Sequence, residues 1–123
     1  MEDFKKYYEF PLCHDGIAYI WTKKGGMALM FEDKKEFERE DFQKAISEVV
    51  NGNLDRRAIP YLTEHTFKYK ENATIVDEKD EVFLIVRGWG HLTGCGGLNL
   101  PVDKASAIQD EFGQYVVDKL NGK

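Results

Sequence analysis

The sequence predicts an α+β fold: a single small domain with a mainly antiparallel sheet of four to five strands and two helices on one face. Three observations carry this expectation. Two β-prone runs flank a Lys-Lys-Gly-Gly step at residues 23–26, and two stretches, at 38–53 and 101–122, repeat apolar residues at spacings of three and four. Between these helical stretches lie short runs rich in β-branched and aromatic residues. The order is therefore strand, strand, helix, two or three strands, helix. That order lacks the regular strand and helix alternation of a doubly wound parallel sheet.

Each element has its own warrant. Ile17 to Thr22 and Met27 to Glu32 form a hairpin, because the paired glycines between them supply the positive φ that a tight turn needs. If Thr22 faces Met27, Ala18, Ile20, Leu29 and Phe31 line one face, while Tyr19, Trp21, Ala28 and Met30 line the other. The first helix places Phe42, Ala45, Ile46, Val49 and Val50 on one stripe and stops at Asn51 and Gly52. Pro60 argues against a continuous element across residues 54–65, leaving irregular chain or a short turn. Thr66 to Lys70, Ala73 to Asp77 and Glu81 to Arg87 read as strands, the last two joined by a polar turn. The second helix opens at Pro101 and Asp103, carries Ala105, Ile108, Phe112, Tyr115, Val116 and Leu120 on its apolar stripe, and closes at Asn121 and Gly122. With the helices on one face, the other is expected to hold Tyr19, Trp21 and some of Phe67, Tyr69, Phe83 and Ile85. So aromatic a face is expected to meet a partner or a second copy.

Composition narrows the classes. With 123 residues, 42% of them hydrophobic, the chain can close one core, so one domain is expected to span residues 1–123. Aromatic residues at 13% separate it from a charge-dominated disordered chain. A formal net charge of -5 repels nucleic acid and anionic lipid, so neither direct duplex binding nor membrane association is expected. MEDFKKYYEF has charges where a signal peptide has an apolar core, and no window is apolar enough for a membrane span. A cytoplasmic protein with Cys13 and Cys95 as free thiols follows.

The stretch RGWGHLTGCGGLNLP, Arg87 to Pro101, is the most unusual in the chain. A glycine-rich turn before a helix can offer backbone N–H groups to an anion, with Arg87 as a fixed cation and Trp89 or His91 as a stacking surface. Arg87, Gly88, Trp89, Gly90, His91, Gly94, Gly96 and Gly97 are thus the candidate ligand-binding residues. The spacing matches neither GxxxxGK[ST] nor GxGxxG, so no nucleotide motif is present. In the plainer alternative the glycines permit bends while Trp89 and Leu92 plug the edge of the core.

Other chemistry is poorly specified. Cys95 and His91 are close in sequence, but no third group orients them as a nucleophile and base. Cys13, His14, His91 and Cys95 could in principle bind zinc, yet their spacing is unlike that of known sites, so no metal and no cofactor are expected. His65 reads as a surface or edge residue. Glu36, Glu38, Glu40 and Asp41 read as a solvated charged face that also suits the start of the first helix. No constellation names a reaction, and an enzyme is not expected.

RGWGHLTGCGGLNLP followed by AIQDEFGQYVVDKL resembles small phage- and prophage-encoded proteins of gut bacteria, over about the C-terminal third of the chain. The resemblance implies a mobile-element accessory protein that binds and inhibits or regulates a host factor, and it carries no activity or site residue with it. The sequence thus favours a non-enzymatic interaction protein that uses Tyr19, Trp21 and Trp89 to hold a protein partner or its own copy. An acidic chain suits a basic partner surface. The alternative is capture of a nucleotide or another anionic small molecule at the 87–100 loop.

Overall fold

The computed structural model describes residues 4, 7–8, 28–87, 92–93 and 99–123 in full, and the backbone of 13–14, 19–21 and 27. Six strands form one antiparallel sheet: β1 (Cys13–His14), β2 (Tyr19–Trp21), β3 (Met27–Phe31), β4 (Lys68–Lys70), β5 (Thr74–Val76) and β6 (Val82–Val86), in the spatial order β1-β2-β3-β6-β5-β4. The five strands expected from sequence all form, and the two-residue β1 extends the sheet at its edge. Three helices whose bounds lie among the described residues complete the fold: α1 (Glu40–Val50), the single turn α2 (Pro60–Thr63) and α3 (Val102–Leu120). The α+β class is as expected.

Two bulges decide which side chains enter the core. Ile75 pairs with Leu84 but Val76 pairs with Val82, which leaves Phe83 as an extra residue in β6. An extra residue breaks strict alternation, so successive side chains can turn to one side. Leu84 shares its face with its partner Phe31, and the Phe83 ring meets Phe31 at 5.9 Å, Phe37 at 5.0 Å and Phe67 at 5.2 Å. Phe83 and Leu84 are both fully buried. A similar shift makes Trp21 rather than Thr22 the partner of Met27, and Ala28 and Leu29 are buried together.

This corrects the expected second face. Phe67 and Phe83 belong to the helix side of the sheet, and so does Tyr69, whose hydroxyl donates to Asp110 of α3 at 2.8 Å. Its ring lies so close to Gly113 that a Cβ there would stand 2.2 Å from Tyr69 Cε1. Ile85 and Met30, paired across the sheet, keep the opposite face and are half-buried.

The helices are as the periodicity requires. α1 buries Ile46, Val49 and Val50 and ends with Asn51 as its cap and Gly52 at φ +83°. α3 buries Ala105, Ile108, Phe112, Val116 and Leu120, with Asn121 as cap and Gly122 at φ +82°. α1 packs against β1 and β2, α3 against β4 and β5, and the two helices touch. The Tyr115 hydroxyl donates to the Val50 carbonyl at 3.1 Å, fixing α3 against the end of α1. Across residues 54–65 the chain makes a 3-10 turn at Arg56–Ala58 and then α2, where Pro60 occupies the first turn, the one place in a helix where its missing N–H costs nothing.

Candidate functional site: the acidic end of the sheet

The glycine-rich connection leaves the sheet from a fixed point. The Arg87 amide donates to the Ala28 carbonyl at 2.8 Å, and the Arg87 carbonyl accepts from the Tyr8 hydroxyl at 2.7 Å. Tyr8 stacks on Phe112, 3.9 Å between centroids, and burial pushes its hydroxyl well above the ordinary tyrosine range. The Arg87 side chain is exposed. Further along, Leu92 is buried, as the plugging role requires, and its carbonyl accepts from the Leu100 amide at 2.8 Å. Gly88, Trp89, Gly90, His91, Gly94, Gly96 and Gly97 lie outside the described residues, as do the side chains of Tyr19 and Trp21. In backbone register Tyr19 stands opposite Met30 and Trp21 opposite Met27.

Topology assembles something else that sequence order hides. β3 ends beside the start of β6, where the Glu32 amide donates to the Phe83 carbonyl at 3.0 Å, so the β3–α1 connection adjoins the β5–β6 turn. Residues 32–41 and 77–81 together hold ten carboxylates against four cations, a net charge of -6, while the whole chain carries -5. Lys68 and Lys70, paired with Asp80, offset two of these charges, and the excess at this end is still negative. Among the described residues Glu36, Glu38 and Glu81 form no ion pair, whereas Asp41 takes Arg39 at 3.0 Å and Asp80 takes Lys68 and Lys70 at 3.1 and 3.3 Å.

A pocket of about 260 Å³ opens here. Its lining combines the apolar Met30, Phe31 and Phe37 with the acidic Glu32, Asp33 and Glu38. The fully buried Gln43 lines it and donates from Nε2 to the Phe37 carbonyl at 2.7 Å, which holds the 3-10 turn at Lys35–Phe37 onto α1. The pocket is smaller than the roughly 300–1,000 Å³ of drug-sized sites. Its size and lining suit one long side chain with an aliphatic stem and a cationic head.

Tyr61 links this pocket to the β5–β6 turn. Its ring lies 5.3 Å from Phe37 and 4.5 Å from His65. Burial first, then the charges of Asp77, Glu36, Glu81 and Glu78, push its hydroxyl up to about 12. The turn is built on Asp77, whose Oδ1 accepts from the amides of Lys79 at 2.8 Å and Glu81 at 3.1 Å. Glu78 Oε1 accepts from the Thr66 amide at 3.0 Å, and Oε2 lies 2.9 Å from His65 Nδ1. That backbone bond, with its own amide and His65, holds Glu78 down to about 2. His65 is thus part of a cluster with Asp77 and Glu78 rather than an isolated edge residue.

The acidic stretches were legible as charge, but read singly they look like solvated surface. Their meeting depends on β3 pairing with β6, which no local pattern announces. Compared with known proteins, the chain matches no family model, no curated protein and no solved structure at a significant level. No described helix is long and apolar enough to cross a membrane.

Proposed function

We propose that this chain is a non-enzymatic interaction protein whose acidic end holds a basic segment of a protein partner. One observation carries the reading: two acidic stretches, brought by the topology to one end of the sheet, adjoin a side-chain-sized pocket lined by Glu32, Asp33 and Glu38 beside Met30, Phe31 and Phe37. The field of these stretches speeds encounter with a basic surface, and the pocket offers a desolvated anchor for one Lys or Arg. In backbone register Tyr19 stands opposite Met30, one of the residues lining the pocket. A basic, nucleic-acid-binding host factor blocked by an acidic accessory protein is the form of regulation that fits both this charge and the resemblance to phage-encoded proteins.

The test is fluorescence anisotropy with a labelled Lys/Arg-rich peptide. Glu32→Lys with Glu38→Lys weakens binding by about tenfold or more, and affinity falls with added salt. Glu71→Lys with Asp118→Lys makes the same change in net charge elsewhere and leaves binding within about twofold. Equal losses in both pairs mean net charge alone attracts the peptide, and the pocket is then not the site.

A further inference from the structure

We propose that His65, Asp77 and Glu78 form a binding site for one divalent cation of the first transition row. The three residues come from the end of α2 and the β5–β6 turn, and their candidate ligand atoms all lie within 4.8 Å of one another. His65 Nδ1 stands 2.9 Å from Glu78 Oε2 and 3.8 Å from Asp77 Oδ2. Two ligand atoms each about 2.1 Å from a common ion stand about 3.0 Å apart at right angles and about 3.4 Å apart at the tetrahedral angle. The observed separations bracket those values. Glu78 is the more exposed of the two carboxylates and the freer to adjust.

An ion pair alone accounts for less of the geometry. Two carboxylates face one imidazole, and the Asp77 side chain is only 2% exposed. Its Oδ1 is occupied by the amides of Lys79 and Glu81, whereas Oδ2 accepts no hydrogen bond from the described residues and points into the cluster. Lys68 and Lys70 are committed elsewhere, since both pair with Asp80. The backbone amides that hold Asp77 Oδ1 and Glu78 Oε1 orient both carboxylates as outer partners orient ligands in metal sites. One imidazole nitrogen with two carboxylate oxygens suits ions from Mn²⁺ to Zn²⁺.

Mn²⁺ is the probe, because it favours oxygen and imidazole over the thiols of Cys13 and Cys95. Titration followed by the loss of the free-ion EPR signal is expected to give one ion per chain, displaced by Zn²⁺, with paramagnetic broadening centred on the amides of Thr66, Glu78 and Lys79. Glu78→Gln, a surface change that spares the fold, and Asp77→Asn each weaken binding by at least about tenfold. Glu36→Gln removes the same charge without removing a ligand and leaves affinity within about twofold. The proposal is overturned by no binding below about 1 mM, by equal weakening in Glu36→Gln and Glu78→Gln, or by broadening centred elsewhere.

Discussion

The seam beneath the end of α3 and the acidic connections share one end of the sheet, yet they treat polar groups in opposite ways. In the seam, Asn121 accepts from the Phe67 amide at 2.9 Å and donates to the Phe67 carbonyl at 2.8 Å, closing α3 onto the start of β4. Arg56 donates from Nε to the Leu120 carbonyl at 2.5 Å and from Nη2 to the Leu62 carbonyl, so a cation meets the negative end of α3. Asn121 and Arg56 there hold the end of α3 to β4 and α2. A few residues away, Glu36, Glu38 and Glu81 have no ion partner among the described residues. The seam ties its polar groups into the fold, while these three carboxylates of the connections carry charge that no cation among the described residues offsets.

Phe83→Ala gives the largest expected effect and tests whether the two regions share one core. Its ring meets Phe37 and Tyr61 on the acidic side and Phe67 on the seam side. Truncation should cost about 3–5 kcal/mol in chemical denaturation. Amide exchange should accelerate on both sides together; acceleration on one side only would mean two separable units.

Asn121→Ala sharpens the contrast. It strands the amide and carbonyl of Phe67, a loss of about 1–3 kcal/mol by denaturant unfolding. Glu38→Gln in the pocket lining removes only repulsion and should move stability by no more than about 0.5 kcal/mol, toward greater stability. A large loss there would show that the acidic lining is structural after all. Gly113→Ala tests a third contact. The added methyl would have to displace the Tyr69 ring and its bond to Asp110, so despite alanine's better helix propensity a loss of about 1 kcal/mol or more is expected from thermal unfolding.

The smallest effect is a pH dependence. Asp55 caps the Arg56–Ala58 turn, accepting from the Arg57 amide at 2.8 Å and pairing with its guanidinium at 2.7 Å. The Arg57 side chain first, then its amide, hold Asp55 down to about 2. A carboxylate with a depressed folded value stabilises above its unfolded value of about 4, and that contribution is lost as pH falls toward about 2. The group is fully exposed, so the gain is slight. An NMR titration of the Asp55 carboxyl should read the low value and see it rise toward the ordinary range in Arg57→Gln.

Much of the fold was legible because its signals are local. The helix stops at Asn51-Gly52 and Asn121-Gly122 need only a residue able to enter the left-handed region, and both glycines adopt it. The polar turn before β6 is also local, although Asp80 rather than glycine takes the positive φ, at 63°. The candidate site was less legible. Glu32 to Glu38 and Asp77 to Glu81 are separate solvated runs until strand pairing joins them, and the carboxylates that meet His65 stand twelve and thirteen residues further along the chain.

By itself, then, the sequence determined the two long helices, the five longer strands and their order: periodicity at two and at three to four, glycines where φ turns positive, and one core's worth of apolar residues. Tertiary structure decided the rest. The extra residue at Phe83 overrides strict alternation and sends into the core one of the four residues from which the outer face was expected to draw. Pairing of β3 with β6 gathers the charge, since Coulomb interactions depend on distance in space and are indifferent to separation along the chain.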